Sequence, residues 1–321
     1  MNTTTCCSSE NKTRPVFPGA PSPTRPDLEK MAWLPGGSFT MGSDKFYSEE
    51  RPAHRERVAG FWMDRHLVTN AEYAQFVAAT GYVTVAERPP KREDYPDADA
   101  GLLVPGSAVF MPPSHPVSLR DHRAWWSYVP GACWNHPLGP DSTIAGLDDH
   151  PVVQIAYEDA WAYAQWAGKE IPTEAEWEYA AKGGLETIYP WGDESNPNGQ
   201  FMANTWQGRF PWENTREDGF ERTSPVGYFP PNEYGLFDVV GNVWEWTSTI
   251  YTTAARSSSC CHSTDKPDDR LLQLVVKGGS HLCAHNYCLR YRPAARQGET
   301  LDTATSHIGF RCIVRGPGPR A

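Results

Sequence analysis

The chain has no apolar run approaching the ~20 residues that cross a bilayer as a helix, and its mean hydropathy is −0.57. A helical membrane protein is excluded, and no membrane partner is expected. Basic clusters are missing too: 29 Lys and Arg face 39 Asp and Glu, a net charge of −10. Such a surface repels a phosphate backbone, so nucleic acid is not an expected partner. The opening stretch MNTTTCCSSENKTRPVFPGAPSPTRP lacks a basic segment followed by an apolar one, the mark of a secretory signal. A cytoplasmic protein is expected. No Gly-x-Gly-x-x-Gly follows a strand, and neither a phosphate-binding loop nor a Gly-x-Ser-x-Gly turn occurs. The usual devices of dinucleotide, nucleotide and α/β-hydrolase chemistry are therefore absent.

Turn formers and aromatics take their place. Thirteen Trp, 29 Pro and 27 Gly in 321 residues leave little room for long helices. Residues 1–29 are polar and Pro-rich without periodicity and are expected to be a disordered tail, as are residues 316–321. Residues 30–315 contain no long linker and no internal repeat, which predicts one domain. Its start, MAWLPGGSFTMGS from Met31, reads as a hairpin around Pro35-Gly36-Gly37. Thr69 and Glu72 have capping-box spacing, with Tyr73, Phe76, Val77 and Thr80 on one side and Gly81 as the stop. A second helix is predicted over about 157–167, and a third after Thr173-Glu-Ala-Glu176, closed by Gly183-Gly184. Short strands are predicted near 271–276 and 309–314. Three modest helices on an irregular β scaffold give an α+β fold with little regular secondary structure.

The densest chemical constellation is Lys277-Gly-Gly-Ser280-His281-Leu-Cys283-Ala-His285-Asn-Tyr287-Cys288. If extended, it places residues 281, 283 and 285 on one face. Two thiolates suit Cu(I) or zinc, and imidazoles widen the choice. Spacing alone does not separate these metals from a buried strand with inert thiols. A structural zinc site needs a second ligand pair, and none matches. Two Asn/Asp/Gly-rich stretches, 204–220 and 238–246, could supply oxygen ligands to Ca²⁺, but neither has EF-hand spacing and turn chemistry is the better explanation. The carboxylates Glu174, Glu176 and Glu178 suit helix capping and a solvated face.

The phrases MAWLPGGSFTMGS (31–43), PTEAEWEY (172–179), NTWQGRF (204–210), YGLFDVVGNVWEWT (234–247) and KGGSHLCAHNYCLRYRPAARQGETLDTATSHIGFRC (277–312) resemble the formylglycine-generating enzyme, or sulfatase-modifying factor, family of bacterial type. The resemblance covers about residues 31–315, and the paired cysteines of SHLCAHNYC are its specific part. It implies a single domain related to the C-type lectin fold. It also implies a copper-dependent oxidase that converts the cysteine of Cys-x-Pro-x-Arg in an unfolded or nascent sulfatase to Cα-formylglycine, with O₂ and a thiol reductant. Cys283 and Cys288 would hold Cu(I), Ser280 would help position O₂ or a water, and Trp244 and Tyr287 would shape the pocket. Two structural Ca²⁺ ions would use Asn204, Thr205, Asp218 and Phe220, and Asp238, Gly241, Val243 and Glu245. Asp238 stands where some members have Asn.

Secreted members carry disulfides for which this chain has Ala180-Ala181 and Pro293, leaving Cys312 without that partner. This fits a bacterial cytoplasmic enzyme, expected to be a monomer. Two other readings compete. A non-catalytic lectin-like binding module would leave the Cys283/Cys288 context unexplained. A mononuclear-iron sulfoxide synthase would need a His-x3-His-x-Glu motif, which the sequence lacks.

Overall fold

The computed structural model describes residues 25–252 and 272–319. The expected tail over residues 1–24, the adjacent pairs Cys6-Cys7 and Cys260-Cys261, and Leu271 lie outside the described residues. Structure begins earlier than composition predicts: the Asp27 carboxylate accepts from Glu29 N at 3.1 Å and caps a short 3-10 turn, Leu28–Lys30. It also runs past Arg315, because the Trp62 indole donates to the Pro317 carbonyl at 3.1 Å.

The three helices form where capping chemistry places them. In α1 (Asn70–Thr80), Thr69 accepts from Glu72 N while Glu72 accepts from Thr69 N, and Gly81 ends the helix in the left-handed region at φ 67°. In α3 (Glu174–Lys182), Thr173 and Glu176 repeat the exchange and Gly183 closes it at φ 61°. Each reciprocal bond satisfies an amide that the first turn leaves without a partner. In α2 (Tyr157–Trp166), Asp159 reaches back to Ala156 N at 2.9 Å. Glu176 caps as expected. Glu174 and Glu178 do not lie on a solvated face: both are buried ion-pair partners.

The strands are β1 (Met31–Leu34), β2 (Gly37–Met41), β3 (His54–Val58), β4 (Phe61–Asp64), β5 (Gly106–Phe110), β6 (Trp126–Pro130), β7 (Trp244–Ile250), β8 (Gln273–Lys277), β9 (Arg296–Thr300), β10 (Ile308–Gly309) and β11 (Ile313–Arg315). They form a sheet ordered β1-β4-β11, a second ordered β10-β7-β8-β9, and the separate pairs β2-β3 and β5-β6. All pairings are antiparallel except β10 with β7. The expected 31–43 hairpin does not form. β1 pairs with β4 and β2 pairs with β3, so the corner at Gly36 nests against the corner at Ala59-Gly60. A Cβ on Gly36, at φ 74°, would sit 2.6 Å from the Val58 carbonyl oxygen. The glycines therefore permit backbone contact between two corners instead of a reversal between neighbours. With short helices, short strands and long turns, the fold is α+β.

Three apolar clusters position the site. One joins α1 and α2 to β7 and β8 through Tyr73, Phe76, Tyr163, Trp246 and Phe310, and reaches Trp244, Cys283 and Cys288. A second packs α3 on β1 and β4 through Trp177, Leu34 and Phe61. A third, aromatic cluster of Phe110, Trp125, Trp206 and Phe210 encloses Leu282 and Ala284. Buried ion pairs brace these layers. Lys277 Nζ lies 2.8 Å from Glu178 and 3.5 Å from Glu174, and Arg296 grips Glu174 at 2.8 and 2.9 Å. Charges this buried persist only as paired, hydrogen-bonded sets.

Candidate active site

The cysteine segment is built by turns. β8 ends at Lys277, and Gly278 and Gly279 follow at φ 92° and 72°. A Cβ on Gly279 would meet the Arg290 carbonyl oxygen and Tyr291 N at 2.8 Å, so only glycine lets the outgoing and returning chains pass. Ser280 Oγ then accepts from Leu282 N at 3.2 Å, and the Ser280 carbonyl accepts from Cys283 N at 2.9 Å. One turn later the Ala284 carbonyl accepts from Cys288 N at 2.7 Å and from Tyr287 N at 3.0 Å. Successive turns thus bring Cys283 Sγ and Cys288 Sγ to 3.2 Å without a disulfide.

This geometry corrects the expectation that 281, 283 and 285 share one face. His281 is buried, with Nδ1 2.8 Å from the Asn242 carbonyl, and burial holds its pKa down at about 4. It is a neutral buried histidine anchored to backbone. His285 is exposed. Alternation fails because turns have no period of two.

The two sulfurs differ electrostatically. Burial raises the Cys283 thiol well above its ordinary range, reinforced by its hydrogen bond to Cys288. Cys288 is lowered to about 6, first by the hydrogen bond from Cys283 and then by the charge of Arg290. The hydrogen bond between the sulfurs and the nearby Arg290 charge favour the thiolate on Cys288, with the proton held toward Cys283.

Around the pair, Trp244 opens β7 and is buried in the same cluster. Tyr287 is 41% exposed; its ring stacks on Phe210 at 4.5 Å and meets the edge of Trp125 at 5.7 Å. Ser280 is fully buried, and its hydroxyl serves the turn that aims Cys283. The structure adds three residues that sequence reasoning missed. Arg290 Nη1 stands 4.0 Å from Cys288 Sγ, Arg290 Nη2 donates to Glu49 Oε1 at 2.6 Å, and the guanidinium lies 3.9 Å from the Tyr47 ring centroid. Glu49 and Arg290 are 241 positions apart, so no local spacing could have signalled the contact.

The donor set fits a soft monovalent ion. Two buried sulfurs stand in contact, and no group of three or more His, Cys, Asp or Glu forms a metal cluster among the described residues. Two thiols without further ligands do not suit tetrahedral zinc and do suit Cu(I).

The residues of the first expected oxygen-ligand set lie together. Asp218 accepts from Thr205 N at 3.2 Å and Phe220 N at 3.1 Å, and Asn204 donates to the Arg222 carbonyl at 2.8 Å. Burial raises the Asp218 pKa, and no cationic side chain pairs with it among the described residues. A buried carboxylate lacking a counter-charge is a donor that suits Ca²⁺, while its partners here are amide N–H groups and the Thr205 carbonyl accepts from Gln207 Nε2 at 3.0 Å.

In the second set, Asp238 accepts from Gly227 N at 2.7 Å, and burial raises its pKa to about 6. Asp238 adopts φ 52°, a left-handed conformation that Asn and Asp tolerate best. Glu245 already accepts from Arg311 Nε and Nη2 at 2.7 and 2.9 Å and from Trp177 Nε1 at 2.9 Å. That leaves about one lone pair for an ion. The set fits Ca²⁺ less completely than the first. Gly241 and Val243 lie in the turn entering β7.

This turn-rich α+β domain with its buried dithiol is matched over residues 17–316 by the family described as "Sulfatase-modifying factor enzyme 1-like domain". The formylglycine-generating enzyme of Mycobacterium tuberculosis is 56% identical over 293 residues, covering 89% of this chain and 98% of that protein. The formylglycine-generating enzyme of Mus musculus is 45% identical over 92% of this chain and 78% of that protein. This chain belongs to the formylglycine-generating enzyme family. Among solved structures, PvdO from Pseudomonas aeruginosa matches with a TM-score of 0.59 at 23% identity, over 88% of this chain and 93% of that one. That likeness supports the expected C-type lectin-related fold. No helix among the described residues is long and apolar enough to cross a membrane.

Proposed function

We propose that this chain oxidises the cysteine of a Cys-x-Pro-x-Arg segment in an unfolded or nascent sulfatase to Cα-formylglycine, activating the sulfatase. The carrying observation is the buried pair of free thiols, Cys283 and Cys288, at 3.2 Å. The reaction balances as R–CH₂–SH + O₂ + 2e⁻ + 2H⁺ → R–CHO + H₂S + H₂O, with a thiol reductant supplying the two electrons. Cys283 and Cys288 would hold Cu(I), which when bound supplies the one-electron chemistry with O₂ that thiols alone lack.

The chain's own residues do the rest. Cys288 enters as thiolate, and Cys283 releases its proton when it becomes a ligand. Ser280 fixes the turn that aims Cys283 and is the hydroxyl available to position O₂ or a water. Trp244 belongs to the same buried apolar cluster as the pair and would shape the pocket. Tyr287 presents an exposed aromatic face at the rim, held by Phe210 and Trp125, against which the extended substrate would lie. Ca²⁺ at Asn204, Thr205, Asp218 and Phe220 would supply the charge that Asp218 lacks. A second ion, held less tightly, would sit at Asp238, Gly241, Val243 and Glu245. The enzyme would act as a cytoplasmic monomer.

The test is mass spectrometry of a Leu-Cys-Thr-Pro-Ser-Arg peptide incubated with Cu(I)-loaded protein, O₂ and a thiol. Copper-dependent replacement of the thiol by an aldehyde is expected, and none from apo protein or Cys288→Ser. No product from folded, copper-replete wild type would overturn the proposal and favour a binding module.

A further inference from the structure

Two thiolates around a monovalent cation carry a net charge of −1, and a substrate thiolate joining them would bring it to −2. In a buried site that charge needs a partner. The pair's own segment offers little: His281 is neutral and bonded to backbone, and His285 faces solvent. Among the described residues, the cation bonded to the pair is Arg290, its Nη1 4.0 Å from Cys288 Sγ.

How Arg290 is held is the informative part. Its side chain is 25% exposed and that of Glu49 18%. The guanidinium is fixed from below by the Tyr47 ring and from one end by Glu49. The Tyr47 hydroxyl accepts from Leu289 N at 3.0 Å, tying the same segment to the residue beside Cys288. Next along, Glu50 grips Arg292 with two bonds at 3.0 and 2.5 Å, and Arg292 Nε donates to the Leu289 carbonyl at 2.6 Å. Tyr47 and the short turn Ser48–Glu50 that follows it are thereby clamped to residues 289–292, just past the cysteines, at three points. Arg290 Nε remains buried without a partner, so its fork is not consumed by structural bonds.

We infer that Arg290 and Glu49 form a charge-tuning couple for the metal-thiolate site. Arg290 offsets the negative charge on the sulfurs, and Glu49, by sharing the guanidinium, limits how much of it they receive. Both are positioning residues. The inference rests on the proposed Cu(I) role of the cysteine pair.

It makes a prediction of sign that packing alone does not. Arg290→Gln removes the offsetting charge, so Cu(I) affinity should fall about tenfold or more. Glu49→Gln keeps an amide oxygen that can accept from Arg290 but frees the guanidinium's charge, so affinity should rise, by about two- to tenfold. Arg290→Lys should recover most of the affinity. The experiment is competition of each purified, full-length variant for Cu(I) against a chelator of known affinity, with thermal melts to establish folding. Opposite shifts for Arg290→Gln and Glu49→Gln, with Arg290→Lys near wild type, would support the couple. Losses in both Gln variants, or no change in either, would overturn it. Wild type that binds no Cu(I) would overturn the copper proposal and this inference together.

Discussion

Four cysteines lie among the described residues, all buried and none in a disulfide, yet they occupy two electrostatic worlds. Cys133 and Cys312 stand alone. Burial raises both thiols, and nearby carboxylates add to the effect, Glu87 for Cys133 and Asp64 for Cys312. Cys283 and Cys288 are just as enclosed, but the two sulfurs share a hydrogen bond and Arg290 stands beside Cys288. Burial therefore does not decide whether a cysteine is inert. Neighbours do, because a second thiol and a cation stabilise a thiolate that burial alone would protonate.

The largest effect that would break this comparison is loss of chemistry. Cys288→Ser should give no detectable formylglycine, and Cys283→Ser should be severely impaired, whereas Cys133→Ser and Cys312→Ser should stay within about threefold of wild type. Peptide conversion followed by mass spectrometry measures all four. Alkylation sharpens the contrast in the apo protein. With its pKa lowered to about 6, Cys288 is thiolate above that pH and protonates as pH falls through it. Its alkylation rate should therefore be flat above about pH 7 and fall about tenfold per unit below about pH 5.5. Cys133 and Cys312, raised above their ordinary value, should still be gaining rate at pH 9. Site-resolved mass spectrometry of the alkylated peptides reads this directly.

Smaller effects test the frame around the pair. Chelating Ca²⁺ should lower the melting temperature by several degrees, and Asp218→Asn should abolish most of that response. Asp238→Asn should abolish less, because Glu245 is already balanced by Arg311. Smallest is the contrast between the lone thiols. Cys133 donates to Asn135 Oδ1 at 3.0 Å, so a serine hydroxyl finds an acceptor and Cys133→Ser should be nearly neutral. Among the described residues the Cys312 sulfur has no such partner. Cys312→Ser should cost about 1–3 kcal/mol in chemical denaturation.

What the sequence disclosed follows the range of each interaction. The helices around Thr69–Glu72 and Thr173–Glu176 were legible because a capping box is complete within four residues. The cysteine pair was legible because its turn closes within six positions, although the histidines beside it were misplaced by assuming an extended strand. Strand pairing was not legible: β1 and β2 adjoin in sequence, but Gly36 and Gly60 let two corners interlock, and each strand found a partner across the other corner. The Arg290 contact with Glu49 and the burial of Glu174 and Glu178 against Lys277 and Arg296 depend on chain brought from far away. In the 204–220 stretch, spacing alone showed turn formers, and the bonds from Thr205 N and Phe220 N to Asp218 were not legible in it.

The most direct measurement is Cu(I) stoichiometry by competition with a strong chelator for three proteins: wild type, Cys133→Ser/Cys312→Ser, and Cys283→Ser/Cys288→Ser. One ion per chain is expected for the first two and none for the third. Copper retained by the third protein, or absent from wild type, would contradict the assignment of the buried pair as the metal-binding, reactive thiols.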